Sequence, residues 1–248
     1  MAQLLHVRCK KLMLISTIDV LPKGAEKYED VQLPEGSTSA YALHRIKMEQ
    51  FVQEHFENVT IIRLPGIFGR GLRKNFIFDL IFKIPKMFSV QEFEEFKIIL
   101  AKDDAALLDM CYQLEENGLY LLRSELPENL LLRLRHLLEE YHRTSLRFTD
   151  SRNFYSYYDL GCLKEDLQKI LQYNIPLIHM ATEPMLASEL ARKAFEIPFH
   201  NEFAGQPPVS SYAKSKYAPL WNGTSGYLYS KEQVLVQLRK FPKDCIQY

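Results

Sequence analysis

The residues of this sequence best suited to chemistry are two hydroxyls, a phenol and a guanidinium. Ser16 and Thr17 follow a run of apolar residues, Tyr41 comes 24 residues after Thr17, and Arg45 comes four residues after Tyr41. A phenol has a pKa of about 10 and is a poor base at neutral pH, but a cation one helical turn away favours the phenolate. The Tyr and Arg could therefore serve proton transfer. The structural alternative is a Tyr and an Arg that only stack on one helix face.

A strand, a helix and a second strand are predicted to position these residues. Residues 12–20 form a continuous apolar run, which is typical of a parallel strand covered on both faces. From residue 41 to 57 the apolar positions recur near helical spacing, after a segment EGSTSAY that supplies N-cap candidates. Residues 59–64 read as the next strand, which Pro65 and Gly66 close. This order predicts a right-handed parallel crossover.

The rest of the chain separates into two kinds of pattern. Residues 89–147 are Leu-rich, and we predict two or three helices there, as an inserted subdomain or, alternatively, as a protein-binding scaffold. Strand and helix patterns return near Asp150, and an amphipathic helix ends the chain. The predicted domains are therefore 1–88, which carries part of a parallel sheet, 89–147, which is the helical insert, and 148–248, which adds a strand and a small substrate-side subdomain.

Composition excludes several classes of protein. Lys and Arg number 31 and Asp and Glu number 31, so no net field favours nucleic acid or an acidic membrane surface. The four cysteines show no C-x-x-C spacing, and we expect reduced thiols in a cytoplasmic protein. No apolar stretch reaches the roughly 18 residues of a membrane span, so no membrane association is expected. The seven histidines show no metal-ligand pairing, and no metal site is predicted.

In their order and spacing these segments resemble the extended short-chain dehydrogenase/reductases of the NAD-dependent epimerase/dehydratase family. The family's catalytic strand has the form (S/T)S-x-x-V-Y-G, as in LISTIDVL here, and a Y-x-x-x-K helix follows, as in YALHR. After the next strand, R-x-x-N/P-x-x-G is similar to RLPGIFG, and RNFYSYYDL resembles R-D-Y-I-H-V-x-D-L. The resemblance covers residues 12–82 and 150–198, and it implies a Rossmann-like α/β fold.

The resemblance also implies roles for individual residues. Thr17 falls on the catalytic Ser/Thr, which orients the reacting carbinol or carbonyl, Tyr41 falls on the general acid/base, and Arg45 falls on the catalytic Lys. In the family this Lys also holds the cofactor ribose. The remaining positions implied to contact the nicotinamide cofactor, NAD or NADP, are Ser16, Arg63, Pro65 and Gly66. Arg152 falls on the Arg that contacts the nucleotide diphosphate of a nucleotide-sugar substrate.

Two departures from the family pattern bear on activity. Arg45 stands where the family has Lys; it keeps the charge, but its planar fork is longer and differently aimed. No strand, G-x-x-G-x-x-G and helix unit is present, although a dinucleotide fold uses one to bind the pyrophosphate. We therefore expect only the C-terminal half of the Rossmann-like sheet, in a truncated chain whose residues 1–11 are the tail of the helix preceding the catalytic strand.

These departures leave two functional predictions open. The first is an epimerase/dehydratase-like protein that acts with NAD or NADP on a nucleotide sugar, with reduced activity. The second is a noncatalytic remnant that binds the nucleotide sugar, or a partner subunit of a complete homologue. Because strand 12–20 would expose unpaired backbone groups, we also expect a homo-oligomer or a complementing N-terminal half to cover its edge.

Overall fold

In a computed structural model, which describes residues 9–22, 27–34 and 39–241, the chain forms two compact units. The first unit comprises the described residues of Met1–Gly69, Arg152–Pro198 and Ala204–Phe241. The second unit comprises Arg70–Ser151 and Phe199–Phe203. The three domains predicted from the sequence, 1–88, 89–147 and 148–248, stay a prediction. The helix expected in residues 1–11 falls mostly outside the described residues.

Strands and helices alternate through most of the described chain. They are, in order, β1 (Leu12–Thr17), α1 (Ala40–His55), β2 (Val59–Leu64), β3 (Gly66–Phe68), α2 (Phe76–Phe82), β4 (Met87–Ser89), α3 (Val90–Ile98), α4 (Lys102–Cys111), β5 (Tyr112–Leu114), β6 (Leu119–Leu122), α5 (Glu128–Glu140), β7 (Phe154–Tyr155), β8 (Tyr157–Asp159), α6 (Leu163–Gln172), β9 (Leu177–His179), β10 (Met185–Leu186), α7 (Ala187–Phe195), β11 (Ser210–Ser211) and α8 (Lys231–Lys240).

The first unit is built on a parallel sheet with the strand order β1-β2-β9. β1 pairs with β2 from Leu12↔Val59 to Thr17↔Leu64, and β2 pairs with β9 around Ile62↔Ile178. The segment from β1 through α1 to β2 is the predicted strand, helix and strand crossover, and the predicted α/β fold with a partial Rossmann-like sheet is confirmed.

Short polar contacts set the ends of the elements around this crossover. The strand predicted over 12–20 stops at Thr17, whose hydroxyl oxygen accepts a hydrogen bond from the Asp19 backbone at 3.2 Å and starts a 3-10 turn at Ile18–Val20. Helix α1 begins after Ser39, whose side chain accepts from the Ala42 backbone at 3.4 Å. This N-cap lies in the segment from which the sequence predicted it.

The core of the first unit lies between the sheet and the later helices. Its fully buried members include Ile62 on β2, Ile178 on β9, Ile170 on α6 and Met180 after β9. Met13 on β1 is only partly buried against this cluster, and Ile15 is 40% exposed. Most residues of β2 and β9 are therefore buried, whereas Leu12 to Ile15 of β1 are half-buried or exposed.

The second unit combines four helices with a small antiparallel sheet of order β4-β6-β5. The expected helices α3, α4 and α5 are present, but the sequence analysis did not predict the strands between them. β5 and β6 are joined by a turn at Gly118, whose φ of +75° favours glycine, and the Asn117 side chain accepts from the Leu119 backbone. The Leu-rich pattern concealed this hairpin, because short apolar runs fit either helix or strand.

Among the helices that the structure describes, none is long and apolar enough to cross a membrane.

Candidate functional site

The candidate site lies at the edge of the parallel sheet where the strands end at their carboxyl termini. Ser16 on β1 stands opposite Arg63 on β2, and Arg63 stands opposite His179 on β9. Three polar residues on three neighbouring strands therefore occupy one row across the sheet. In open α/β sheets ligands bind outside the carboxyl ends of the strands, so this row lies next to the region where a ligand is expected.

Glu49 of helix α1 joins two residues of this row. Its Oε1 accepts from Ser16 Oγ at 2.5 Å and from Arg63 Nε at 3.1 Å, and its Oε2 accepts from Arg63 Nη2 at 2.6 Å. The two Arg63 contacts form a bidentate ion pair, and both side chains are almost completely buried. Glu49 thereby ties α1 to β1 and β2 in a fixed orientation.

His179 continues the same contacts to the third strand. Its Nε2 must accept from Arg63 Nη1 at 3.1 Å, because a guanidinium has no acceptor atom. Its Nδ1 faces the carbonyl oxygens of Lys27 at 3.1 Å and Lys214 at 2.9 Å, and so carries the hydrogen. Burial is the main cause that lowers the pKa of His179; Glu29 opposes it and Arg63 adds to it. These partners assign the neutral tautomer protonated on Nδ1.

Glu29 anchors the far end of these contacts. Its Oε1 accepts from the His179 backbone at 2.9 Å and from Ser215 Oγ at 2.5 Å, and its Oε2 accepts from the Lys216 backbone at 2.9 Å. This carboxylate fastens the loop after β1 and the segment near residue 215 to β9. We refer to Ser16, Glu49, Arg63, His179 and Glu29 as the buried polar network.

Three members of this network were not predicted from the sequence: Glu49, His179 and Glu29. A signal was available for Glu49, which lies between Ile46 and Val52 at helical spacing, on the face of α1 that otherwise carries apolar residues. A carboxylate on a buried face needs a buried partner. His179 and Glu29 had no such local signal, because their partners are distant in sequence.

Tyr41 and Arg45 lie together on the first turns of α1, as their spacing predicts. The Arg45 guanidinium carbon is 5.3 Å from the centre of the Tyr41 ring, which is within the range of a cation–π contact. Tyr41 is 50% exposed and Arg45 is half-buried. The contact thus has the form of the stacked pair weighed as the structural alternative, and it also puts a cation beside an accessible phenol.

Thr17 ends β1 with a hydroxyl that retains a donor. Its oxygen accepts from the Asp19 backbone, and the hydroxyl hydrogen can still be given to another group. Successive side chains of a strand point to opposite faces, so Thr17 does not join Ser16 in the buried polar network. Within the described ranges no hydrogen bond joins Thr17 to Tyr41. The catalytic roles of Thr17, Tyr41 and Arg45 stay predictions.

The residues expected on the nicotinamide side have different surroundings. Ser16 and Arg63 are buried and hydrogen-bonded within the buried polar network, and Pro65 is buried. Gly66 is exposed, and a Cβ there would lie 2.9 Å from the Tyr157 ring, so glycine is required where β3 pairs with β8. The structure therefore gives Ser16, Arg63 and Gly66 clear structural roles, while their contacts with a cofactor stay a prediction.

Arg152, expected to contact the nucleotide diphosphate, lies at the start of the second part of the first unit. Its Nη2 donates to the carbonyl oxygen of Gln206 at 3.2 Å. Four of the predicted site residues therefore form two separate pairs. Ser16 and Arg63 are joined through Glu49, and Tyr41 contacts Arg45. The role of Arg152 stays a prediction.

Comparison with solved structures gives matches along most of the chain at low sequence identity. The dTDP-4-dehydrorhamnose reductase of Bacillus anthracis in complex with NADP matches with a TM-score of 0.53 and 16% identity over 93% of this chain and 63% of that one. The dTDP-glucose 4,6-dehydratase of the same organism in complex with NAD matches with a TM-score of 0.52 and 12% identity. The match covers 95% of this chain and 63% of the dehydratase. The Bordetella bronchiseptica enzyme WbmG in complex with NAD and UDP matches with a TM-score of 0.53 and 10% identity. The match covers 93% of this chain and 58% of WbmG.

The chain thus spans less than two thirds of the length of each of these proteins. No protein-family model and no curated protein sequence matches it. At this level of identity the matches establish the fold, and they agree with the parallel sheet and crossover described above. The chain therefore has a Rossmann-like α/β fold, which it shares with this reductase, this dehydratase and WbmG.

Proposed function

We propose that the chain is an NAD(P)-dependent epimerase/dehydratase-like protein that binds a nucleotide sugar and works at reduced activity. The observation that carries this proposal is the Tyr41–Arg45 contact, 5.3 Å from guanidinium to ring centre, on the helix that directly follows the Thr17 strand. The matched enzymes with bound NADP, NAD or UDP share this fold, which supports the choice of ligands.

The chain's own residues would transfer the proton to or from the substrate. Tyr41 would give a proton to, or take one from, the reacting sugar oxygen, with the Arg45 guanidinium beside its ring. Thr17 would orient the same oxygen through its remaining hydroxyl hydrogen. When bound, NAD(P) supplies the acceptor or donor of hydride. Arg152 would contact the diphosphate of the substrate.

The residues present fit the cofactor in part. Arg45 is half-buried beside an exposed Tyr41, and Gly66 is exposed at the carboxyl end of β2, so these two could contact the ribose and nicotinamide. Ser16 and Arg63 donate hydrogen bonds to the Glu49 carboxylate. They would therefore affect the cofactor only indirectly, by holding α1 in place. The sequence has no glycine-rich phosphate loop, so we expect weak dinucleotide binding.

Replacing Tyr41 tests the catalytic proposal directly. Tyr41→Phe removes the phenol oxygen but keeps the ring on which Arg45 stacks, so turnover of UDP- or dTDP-hexoses should fall by about 10²–10⁴-fold. Affinity for the nucleotide sugar should stay unchanged. The assay follows NAD(P)H absorbance and sugar products, with Tyr173→Phe, another half-exposed Tyr, as the matched control. Equal turnover of both variants and the unmodified chain would contradict the role of Tyr41.

A second candidate function is noncatalytic binding of the nucleotide sugar. The occupation of Arg63 by Glu49 and His179 favours it, because a side chain expected beside the nicotinamide is held in the interior. Calorimetric titration with NAD, NADP, UDP-glucose and dTDP-glucose separates the two functions. Binding of a nucleotide sugar without either dinucleotide decides for this candidate.

We also propose that β1 pairs with a further strand, from a second copy of the chain or from a complementing N-terminal half. Within the described residues β1 has a strand neighbour only in β2, and Ile15 is exposed on it. An edge strand with unpaired backbone groups and apolar side chains favours such pairing. A cytoplasmic location is part of the proposal, supported by the free thiols of Cys9, Cys111 and Cys162.

A further inference from the structure

A cavity of about 330 Å³ lies in the second unit, among residues to which the proposed function assigns no role. Its size is near the lower end of the range of about 300–1,000 Å³ that small-molecule pockets occupy. We call it the β4–β6 pocket. It is lined by Arg73, Phe78, Phe82, Lys86, Met87, Leu121, Leu122, Arg123, Ser124, Leu126 and Leu131.

The walls of the β4–β6 pocket are mostly apolar. Phe78 and Phe82 come from α2 and Leu131 from α5, and all three are almost completely buried. Leu121 and Leu122 of β6 are half-buried, so they keep surface for a ligand to cover. Covering such surface stabilises a complex by about 25 cal/mol per Å² of apolar area. The walls therefore suit an aliphatic or aromatic body.

Three of the lining side chains are cations. Lys86 donates to the backbone carbonyl oxygen of Arg73, and its ammonium lies 4.9 Å from the centre of the Phe78 ring. These two contacts hold the charge beside the apolar wall. Arg73 is exposed, and the Arg123 Nη1 donates to Gln113 at 2.9 Å.

The residues that line the pocket include three cations and no carboxylate. In the part of the chain that the structure describes, no ion pair joins Arg73, Lys74 or Lys86 to a carboxylate. Burial is the main cause that lowers the pKa of Lys86; the charge of Asp79 opposes it, and the charges of Arg73 and Lys74 add to it. An added anion would relieve the repulsion among these cations.

We propose that the β4–β6 pocket binds an amphipathic anion, with an apolar body of medium length and one carboxylate or phosphate head. The body covers Leu121 and Leu122 against the Phe78 wall, and the head pairs with Arg73 and Lys86. Arg73, beside a point charge at Lys86, suits either kind of head. This inference is independent of the proposed function, because every lining residue belongs to the second unit.

Calorimetric titration of the full chain with four probes tests the ligand class. Decanoate and decyl phosphate share a chain and differ in the head, 1-decanol lacks the charge, and inorganic phosphate lacks the chain. We expect the two amphipathic anions to bind at least about tenfold more tightly than decanol or phosphate. The anion that binds more tightly shows whether the pocket prefers a carboxylate or a phosphate head group. Equal affinity for decanol, or no binding of either amphipathic anion at millimolar concentration, overturns the proposal.

Variants then test the location. Arg73→Gln and Lys86→Gln should each weaken binding of the tighter anion about fivefold, because each removes one charge from the head site. Leu126→Trp should weaken it by filling the pocket from a loop. Lys97→Gln is the matched control, since Lys97 is paired with Asp109 and does not line the pocket. Thermal unfolding of every variant excludes loss of fold, and unchanged affinity in the three pocket variants overturns this location.

Discussion

The side chain with the widest influence on the candidate site is Glu49. It accepts three hydrogen bonds, from Ser16 on β1 and twice from Arg63 on β2, and it is 2% exposed. Burying an ion pair costs a large desolvation free energy. Removing one partner leaves the other charge buried and unpaired. Glu49 therefore couples the orientation of the Tyr41 helix to the carboxyl ends of the strands.

Replacing Glu49 measures this coupling. Glu49→Gln leaves Arg63 without a counter-charge, so the free energy of unfolding should fall by about 3 kcal/mol. Glu54→Gln, at an exposed position on the same helix, should change it by less than about 0.5 kcal/mol. Urea unfolding monitored by circular dichroism gives both values.

A double variant separates the ion pair from the rest of the network. Combining Glu49→Gln with Arg63→Met removes the orphaned charge, so its loss of stability should be smaller than the sum of the two single losses. Strictly additive losses would show that the two side chains do not act as a pair.

Among single elements, helix α2 of the second unit carries a carboxylate that works against stability at neutral pH. Burial raises the pKa of Asp79 to about 6, against the opposing effects of a hydrogen bond with Ser145 and the charge of Lys86. A carboxyl with a raised pKa binds its proton more tightly in the folded state. Its contribution to stability is therefore present at low pH and is lost as the pH rises from about 4 to 6.

Asp79→Asn should accordingly stabilise the protein at high pH only. At pH 8 we expect the free energy of unfolding to rise by roughly 2–3 kcal/mol, because the variant is neutral where the native side chain is ionised. The gain should disappear by about pH 4, where both side chains are uncharged. Urea unfolding across this pH range is the measurement, with exposed Glu125→Gln as the control. A gain that is independent of pH would show that Asp79 does not titrate in this window.

For the whole molecule, the feature that bears most on assembly is the exposed side of β1. The β1-β2-β9 sheet buries all of its central strand except the first residue, but Ile15 on β1 is 40% exposed and Met13 is half-buried. A sheet with one strand incompletely covered is prone to pair with another chain.

Sedimentation velocity across a range of concentrations tests this pairing. The unmodified chain should associate, and Ile15→Lys should shift it towards the monomer, because a charged side chain on an edge strand discourages strand addition. Val209→Lys, which also replaces an exposed aliphatic residue, is the control. A monomer at the highest concentration reached would contradict self-association and leave the complementing half as the expected partner.

The sequence by itself determined the elements whose signals are local. The apolar runs predicted β1 and β2, the Ser-containing cap and the helical spacing predicted α1, and the spacing of Tyr41 and Arg45 predicted their contact. Such patterns act through neighbouring residues, so they can be read without knowing the fold.

Only the tertiary structure decided the rest. Parallel pairing set Ser16 beside Arg63 and Arg63 beside His179, although His179 lies 116 residues further along the chain than Arg63. Likewise, the β5–β6 hairpin and the β4–β6 pocket depend on which helices pack against which strands. Register and packing bring together residues far apart in sequence, and no local pattern encodes those distances. This is why the sequence indicated the phenol and the cation, and the structure alone revealed the buried network that holds their helix.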